Sequence, residues 1–380
     1  MGYSADQLPV ERHLTQLRVR VERDLGALIP AQPDTAWITR YFGRPRWRRR
    51  EQAIARTFCL PARQMLAGGK RWRPVLALLF LELLGAPHGP AARILTGIAE
   101  LCHAGALMID DVEDDSACRR HQPSVFRRYG KAVAINAGGL LYFFPFLAMV
   151  RPPVLTKAQQ AEIFGVMVRV FSQAHAGQAA DIYWPQALAG ARPEQIRREG
   201  LEGAVLQMYA DKTGAPLAGI AETAAIIARA KPALRRACRA FACRLGVAFQ
   251  IVDDLMNYQC GGKGRVGAAE DFKAGKMTLV IARAPALLPA PARRQFDAVF
   301  FNPPARRSAA QRQRAVRLLR QYGVFDACRR RAQREYTQAF ARLCRVFPDS
   351  RARRSLAGLC AQVLHGCGET MRLPAGGSAG

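Results

Sequence analysis

The sequence predicts an all-α protein, and three observations carry that expectation. Apolar residues recur at helical spacing, as in Leu76, Leu79, Phe80, Leu83 and Leu84. Sustained Val/Ile/Thr alternation is missing, and no Asn-Gly pair marks a hairpin. Clusters of Pro and Gly at 85–90, 151–153, 190–193, 261–267, 285–291 and 302–304 cut the chain into pieces of helix length.

In chain order, residues 1–50 are mixed in character and end in the basic run Arg44 to Arg50, which reads as an N-terminal extension. Residues 51–365 read as one helical domain, and 366–380 as a flexible tail. The longest uncharged run, Ala132 to Val150, approaches transmembrane length. Asn136, Gly138, Gly139 and Pro145 interrupt it, so a buried core helix is expected and no transmembrane segment. The Arg-rich stretch 305–356 reads as solvated helix faces.

Composition narrows the function. Half of the 380 residues are hydrophobic, which excludes a mostly disordered chain. The net charge of +28 comes from 57 basic and 29 acidic residues, and only 8 of the basic ones are Lys. Such a field favours anionic partners, but Arg-rich and Ala-rich usage together also fit a global codon bias. No helix-turn-helix, zinc-finger or aromatic-interleaved basic signature supports nucleic acid as the partner. Ten scattered Cys form no CxxC pair, which leaves zinc and thioredoxin readings without support. Buried free thiols and the absence of a basic-then-apolar leader predict a reducing, cytoplasmic setting.

The chemistry starts at Asp110. Five carboxylates fall in the six residues 110–115, directly after an apolar helical stretch. Asp110 and Asp114 stand one turn apart on the same face. Crowded carboxylates repel each other and need cations; Mg²⁺ takes one or two carboxylates and fills its shell with phosphate and water. Asp253, Asp254 and Asn257 repeat the spacing about 140 residues later, again after an apolar helix, Phe241 to Val252. A solvated helix end explains one such cluster as well as a metal site does; two are far harder to dismiss. Basic segments complement them: Gly68-Gly69-Lys70-Arg71-Trp72-Arg73-Pro74, Arg119-Arg120, Lys212-Thr213-Gly214 and Asp271 to Lys276. Four of the eight Lys lie in these segments, and a compact ammonium is not readily replaced by guanidinium at a tight phosphate site.

These motifs, in this order from Gly68 to Lys276, resemble the trans-isoprenyl diphosphate synthases, the polyprenyl synthetase family. Gly69-Lys70-Arg71-x-Arg73-Pro74, His103, Asp110-Asp111-x-x-Asp114, Arg119-Arg120-x-x-Pro123, Gly177-Gln178-x-x-Asp181, Lys212-Thr213, Phe249-Gln250-x-x-Asp253-Asp254 and Asp271 with Lys276 carry the likeness. The stretch 107–120, Asp181 to Trp184 and Asn257 are most similar to geranylgeranyl diphosphate synthases. The resemblance implies a class I isoprenoid synthase fold, a single helical bundle around a central cavity, and usually a homodimer. It implies three Mg²⁺ per active site, with Asp110, Asp111, Asp114, Asp253 and Asp254 as ligands. It implies that Lys70, Arg73, His103 and Arg120 bind isopentenyl diphosphate. Arg119, Lys212 and Lys276 then hold the leaving diphosphate of an allylic substrate, and Thr213 and Gln250 turn oxygen dipoles to the allylic cation.

Three departures stand out. His121 replaces the usual Gly after the paired arginines. The stretch 184–207 is longer than usual. The Lys expected shortly before Asp271 is missing, with Lys263 or Arg265 as substitutes.

In this family product length depends on the cavity floor beneath the first aspartates. Ala106 and Gly105 lie roughly 6–7.5 Å below Asp110 on a helix, and both are small. A farnesyl-type aromatic floor is thus disfavoured and a C20 geranylgeranyl product expected, with longer products as the alternative. Phe143, Phe144 and Phe171 are deeper floor candidates. The rival activity is a class I terpene cyclase, which has no use for a second phosphate site. A non-catalytic partner subunit should lack an acidic motif, and this chain has both.

Overall fold

The computed structural model describes residues 7–47, 51–151, 154–188, 200–259 and 269–364. The helices before the first acidic cluster are α1 (Gln7–Leu28), α2 (Thr35–Phe42), α3 (Glu51–Ile54), α4 (Leu60–Leu66), α5 (Trp72–Leu83) and α6 (Pro90–Glu113). Next come α7 (Val125–Tyr129), α8 (Lys131–Val150), α9 (Lys157–Ala187), α10 (Leu201–Tyr209), α11 (Ala215–Ile227) and α12 (Pro232–Gln259). The chain continues with α13 (Glu270–Ala274), α14 (Leu279–Leu287), α15 (Ala290–Phe300), α16 (Pro303–Arg307), α17 (Ala309–Gln321), α18 (Val324–Cys344) and α19 (Arg351–Leu364). Wider π-helical turns, Ala55–Cys59 and Ala210–Gly214, join α3 to α4 and α10 to α11. The only strands among the described residues are β1 (Cys118–Arg119) and β2 (Gln122–Pro123), paired antiparallel.

The chain forms two compact units: Met1–Val166 with Ile220–Arg235 and Asp349–Leu359, and Met167–Gly219 with Arg236–Pro348 and Cys360–Gly380. This differs from the expected division at residue 50. In α1, Leu14, Leu17, Val21, Leu25 and Leu28 follow a helical stripe and are buried. His13 hydrogen-bonds Ser355 Oγ at 2.8 Å within the same unit. The first 50 residues therefore contribute core to the first unit, because their apolar stripe must be covered. Three other expected features, the tail 366–380, the substitutes Lys263 and Arg265, and much of the longer stretch at 189–199, lie outside the described residues.

Helices α6 and α8 run antiparallel along the first unit. A Cβ on Gly97 would meet Pro145, and one on Gly105 would lie 2.6 Å from the Gly138 carbonyl oxygen. This corrects the expectation for Gly105: it faces the α8 backbone and allows close helix contact, leaving Ala106 as the small residue beneath Asp110. The floor candidate Phe144 is core as well. Its ring packs on Trp37, Tyr41 and Phe58 at centroid distances of 5.6, 4.9 and 5.4 Å. Phe143 is 66% exposed. By length and composition α6 and α8 each could cross a membrane, with 72% and 50% of their apolar windows buried in the structure.

Gly105→Val should lower stability by about 1–3 kcal/mol, since the new methyls meet backbone that cannot move aside. Gly139→Ala, with nothing within 4 Å of its Cβ position, should gain about 0.5–1 kcal/mol from helix propensity. Urea unfolding of the two variants tests both signs.

Candidate active site: acidic helix ends and their cations

In the first unit, α6 ends in the acidic cluster. Asp111 is fully buried; its Oδ1 accepts from Arg119 Nε at 2.7 Å, with Arg119 Nη2 2.6 Å from the same oxygen in an ion pair. Its Oδ2 is buried with no hydrogen-bond partner. Burial raises the Asp111 carboxyl, Arg119 opposes the shift, and Asp110 and Asp114 add to it. Asp110 is half-buried and Asp114 exposed. Asp115 pairs with Arg127 at 2.9 Å, away from this row.

The cations are positioned by the ribbon β1–β2 and the basic loop. Arg120 and His121 form the two-residue turn of the ribbon, with φ of +52° and +64°. Both central residues of a tight type I′ turn need positive φ, which is why Gly is expected at 121 and why His121 sits there under strain. Arg120 Nη1 donates to the Met65 and Ala67 carbonyls at 2.8 and 3.0 Å, tying the ribbon to the C-terminal end of α4. Arg71, also left-handed at φ +54° and buried, donates to Glu22 at 2.7 Å, to Glu100 at 2.8 Å and to the Leu66 carbonyl. It braces the loop that exposes Lys70, and the Arg73 guanidinium stacks on Trp72 at 4.4 Å.

In the second unit, close glycine contacts place the remaining groups. A Cβ on Gly177 would lie 2.5 Å from the Lys212 backbone nitrogen, so α9 reaches the π-turn only through glycine. One turn further along α9, Asp181 Oδ2 accepts from Lys212 Nζ at 2.6 Å, with Lys276 Nζ 4.0 Å from the same oxygen. Likewise a Cβ on Gly246 would lie 2.6 Å from Gly214 Cα. One turn along α12, Gln250 Oε1 accepts from Thr213 Oγ1 at 2.8 Å. Lys212 and Thr213 thus sit on the π-turn, a wider coil that often marks functional sites. Nothing in the local sequence pattern announces it.

Asp253 and Asp254 diverge. Asp253 is exposed and Asp254 buried, since neighbours on a helix point roughly 100° apart. Asp254 accepts from Tyr209 Oη and from Gln250 Nε2 at 3.0 Å. Burial, with Asp271 and Asp253 nearby, holds its carboxyl well above the usual range. Its carboxylate, expected from the resemblance to be a metal ligand, is turned to Tyr209 and Gln250 in this structure. Tyr209 was not foreseen; it joins Asp254 to the Leu279 amide at 2.8 Å. Gln250 likewise spends its oxygen on Thr213 and its amide on Asp254.

Among the described residues no three His, Cys, Asp or Glu side chains are arranged to hold a metal ion by themselves. The donor set still fits a hard divalent cation. The acids are oxygen donors at a helix C-terminus, where the dipole is also negative, and buried Asp111 Oδ2 has coordination capacity left.

His103 gives a pH test. Burial, then Arg73, Arg120 and Arg119, hold its imidazole well below the ordinary range, hence neutral at pH 7. The unfolded chain takes up this proton near pH 6.5 and the folded chain does not. Stability from this group is full above about pH 6.5 and falls as the pH drops below it. His103→Gln should flatten the stability slope between pH 5 and 6.5 by up to about 1.4 kcal/mol per unit, measured by urea unfolding; an unchanged slope contradicts a neutral imidazole.

Comparison with known proteins gives the family. The family model described as polyprenyl synthetase matches residues 56–314. A short chain isoprenyl diphosphate synthase of Methanothermobacter thermautotrophicus is 32% identical over 222 residues, 57% of this chain and 63% of that protein. A geranylgeranyl pyrophosphate synthase of Clitopilus passeckerianus is 30% identical over 220 residues, 56% of this chain and 58% of that protein. The chain thus spans about three fifths of these relatives' length. A crystal structure of a polyprenyl synthase from Caulobacter crescentus, complexed with calcium and isoprenyl diphosphate, superposes with a TM-score of 0.71 at 23% identity, covering 94% of this chain and 96% of that one. It shares the helical isoprenoid synthase fold expected from the sequence. With more than half of its length matched by the family model, the chain belongs to the polyprenyl synthetase family.

Proposed function

We propose that the chain is a Mg²⁺-dependent prenyltransferase that joins isopentenyl diphosphate to an allylic diphosphate and releases a linear trans-prenyl diphosphate, C20 geranylgeranyl diphosphate in the first instance. Support comes from family membership and from the named activities of the relatives. The observation that favours elongation over cyclisation is the grouping of Arg73, Arg119 and Arg120 about a neutral His103. Cyclisation needs one diphosphate site; elongation needs a second.

Asp110, Asp111, Asp114 and Asp253 would hold the metal ions, three in this reading. Bound Mg²⁺ supplies charge neutralisation for the leaving diphosphate. Arg119, Lys212 and Lys276 bind the same diphosphate. Lys70, Arg73, His103 and Arg120 hold isopentenyl diphosphate, His103 through its one ring N–H. Thr213, which donates to Gln250, and Gln250, which is held by Asp254, would turn their remaining oxygen lone pairs to the allylic carbon. The allylic C–O bond breaks, the isopentenyl double bond attacks that carbon, and the lost proton leaves with the released diphosphate. No side chain acts as a nucleophile.

The working form in this reading is a cytoplasmic homodimer. Exposed Ile135 and Phe143 on α8 are apolar side chains that a second copy could cover, and buried free Cys59, Cys102 and Cys360 suit a reducing compartment.

Purified protein given Mg²⁺, isopentenyl diphosphate and C5, C10 or C15 primers should yield chiefly a C20 diphosphate. A cyclic hydrocarbon from the allylic substrate alone would favour the cyclase. Asp110→Asn and Asp253→Asn should each lower kcat on the order of 10²-fold or more. Ala106→Phe, one turn below Asp110, should shorten the product; an unchanged product length defeats the C20 reading.

A further inference from the structure

The second acidic motif carries Asn257 where the first carries Asp114. Both polar atoms of that amide are used. Nδ2 donates to Asp271 Oδ2 at 2.5 Å, and Oδ1 accepts the Glu270 backbone N–H at 2.9 Å. Asn257 lies in the last turn of α12, and its two partners open α13. One side chain therefore ties together two helices. Only an amide fills this place: an aspartate could accept from Glu270 but could not donate to Asp271, and two carboxylates at that distance repel.

Asp271 is the residue that the tie places. Burial raises its carboxyl to about 6; Lys276 opposes the shift, and Asp181 and Asp253 add to it. Acids from α9, α12 and α13 thus share one field in the second unit, with Lys212 and Lys276 on Asp181. The first motif draws its three acids from the end of α6 and its cap, Asp114. In the second, Asp254 is turned inward to Tyr209 and Gln250, so its helix presents only Asp253.

We propose that Asn257 is a positioning residue whose amide clamps α13 to the end of α12 and so delivers Asp271 as the carboxylate that the fifth place of the second motif lacks. This rests on the metal–diphosphate role proposed above. The clamp explains how a motif with one acid fewer keeps its share of negative charge: the missing carboxylate returns from the next helix, held by the residue that replaced it.

Two variants separate the clamp from the charge. Asn257→Leu keeps the Asp271 carboxylate and removes both hydrogen bonds. Asp271→Asn keeps an acceptor for Asn257 and removes the charge. The probes are hydrogen exchange at the Glu270 amide and binding of Mn²⁺ with inorganic pyrophosphate, followed by electron paramagnetic resonance. Asn257→Leu should speed exchange at Glu270 about tenfold or more, and each variant should weaken Mn²⁺ binding by about tenfold or more. Asp271→Asn should leave the exchange at Glu270 near its original rate. In the pair N257D/D271N, donor and acceptor trade places, and protection at Glu270 should return. Unchanged Mn²⁺ affinity in Asp271→Asn, or unchanged exchange in Asn257→Leu, overturns the proposal. Should Asn257→Leu not fold, Asp271→Asn and the exchanged pair still decide it. Unaltered protein that binds no Mn²⁺ with pyrophosphate would overturn the functional reading along with the clamp; unaltered protein that binds it, beside variants that bind it equally well, overturns the clamp alone.

Discussion

Negative charge gathered at the negative end of a helix is the constraint on which this protein is built. Helix α6 closes on five acids, although the C-terminal end of a helix disfavours each anion by roughly 0.3–1 kcal/mol. Such a cluster persists only where cations stand by. Arg119 answers Asp111 with a hydrogen bond and a second short ion-pair contact to one oxygen and leaves the other oxygen buried without a hydrogen-bond partner. In the second unit Lys212 hydrogen-bonds Asp181, and Lys276 stands 4.0 Å from the same oxygen. Fixed cations of this kind satisfy part of the acid charge; in the proposed function the remainder is met by a bound metal and its diphosphate. A chain with 49 Arg therefore puts its basic residues to specific use at a few positions.

Those positions are held by backbone contact more than by long side chains. Gly177 and Gly246 let α9 and α12 meet the π-turn at distances that any Cβ would forbid. Each is followed one turn later by the side chain that matters, Asp181 or Gln250. A helix is rigid over one turn, so a close contact at one residue fixes the direction of the residue four places on. In the first unit Gly105 and Gly138 do the same for α6 and α8, which carries the acidic end of α6 on a firm base. The basic loop is steadied differently. Arg71 accepts a left-handed backbone so that its guanidinium can reach Glu22 and Glu100, and α1 becomes a brace for the basic loop.

The candidate site residues were chosen from the linear chain. Helical class follows from the spacing of residues such as Leu76 to Leu84, and the acids and cations stand out because charge beside a long apolar run demands a purpose. Less visible were features created by distant contacts. The α1 stripe, Leu14 to Leu28, is present in the sequence, yet basic neighbours made the segment read as an appendage. The ribbon at 118–123 is too short for any alternation to show. Gly105 read as open space because its smallness was visible and the Gly138 carbonyl that requires it was not.

The sequence by itself determined the helical class, the order of the motifs and the charged groups of the candidate site, because these depend on residue type and on spacing along one helix. Only the tertiary structure decided which way those groups face: Asp253 outward and Asp254 toward Tyr209, Gln250 onto Thr213, Asn257 onto Asp271. Direction depends on which helix surfaces meet and how closely. That is settled by packing between residues far apart in the chain, where backbone approaches such as Gly246 to Gly214 and buried hydrogen bonds outweigh any local preference.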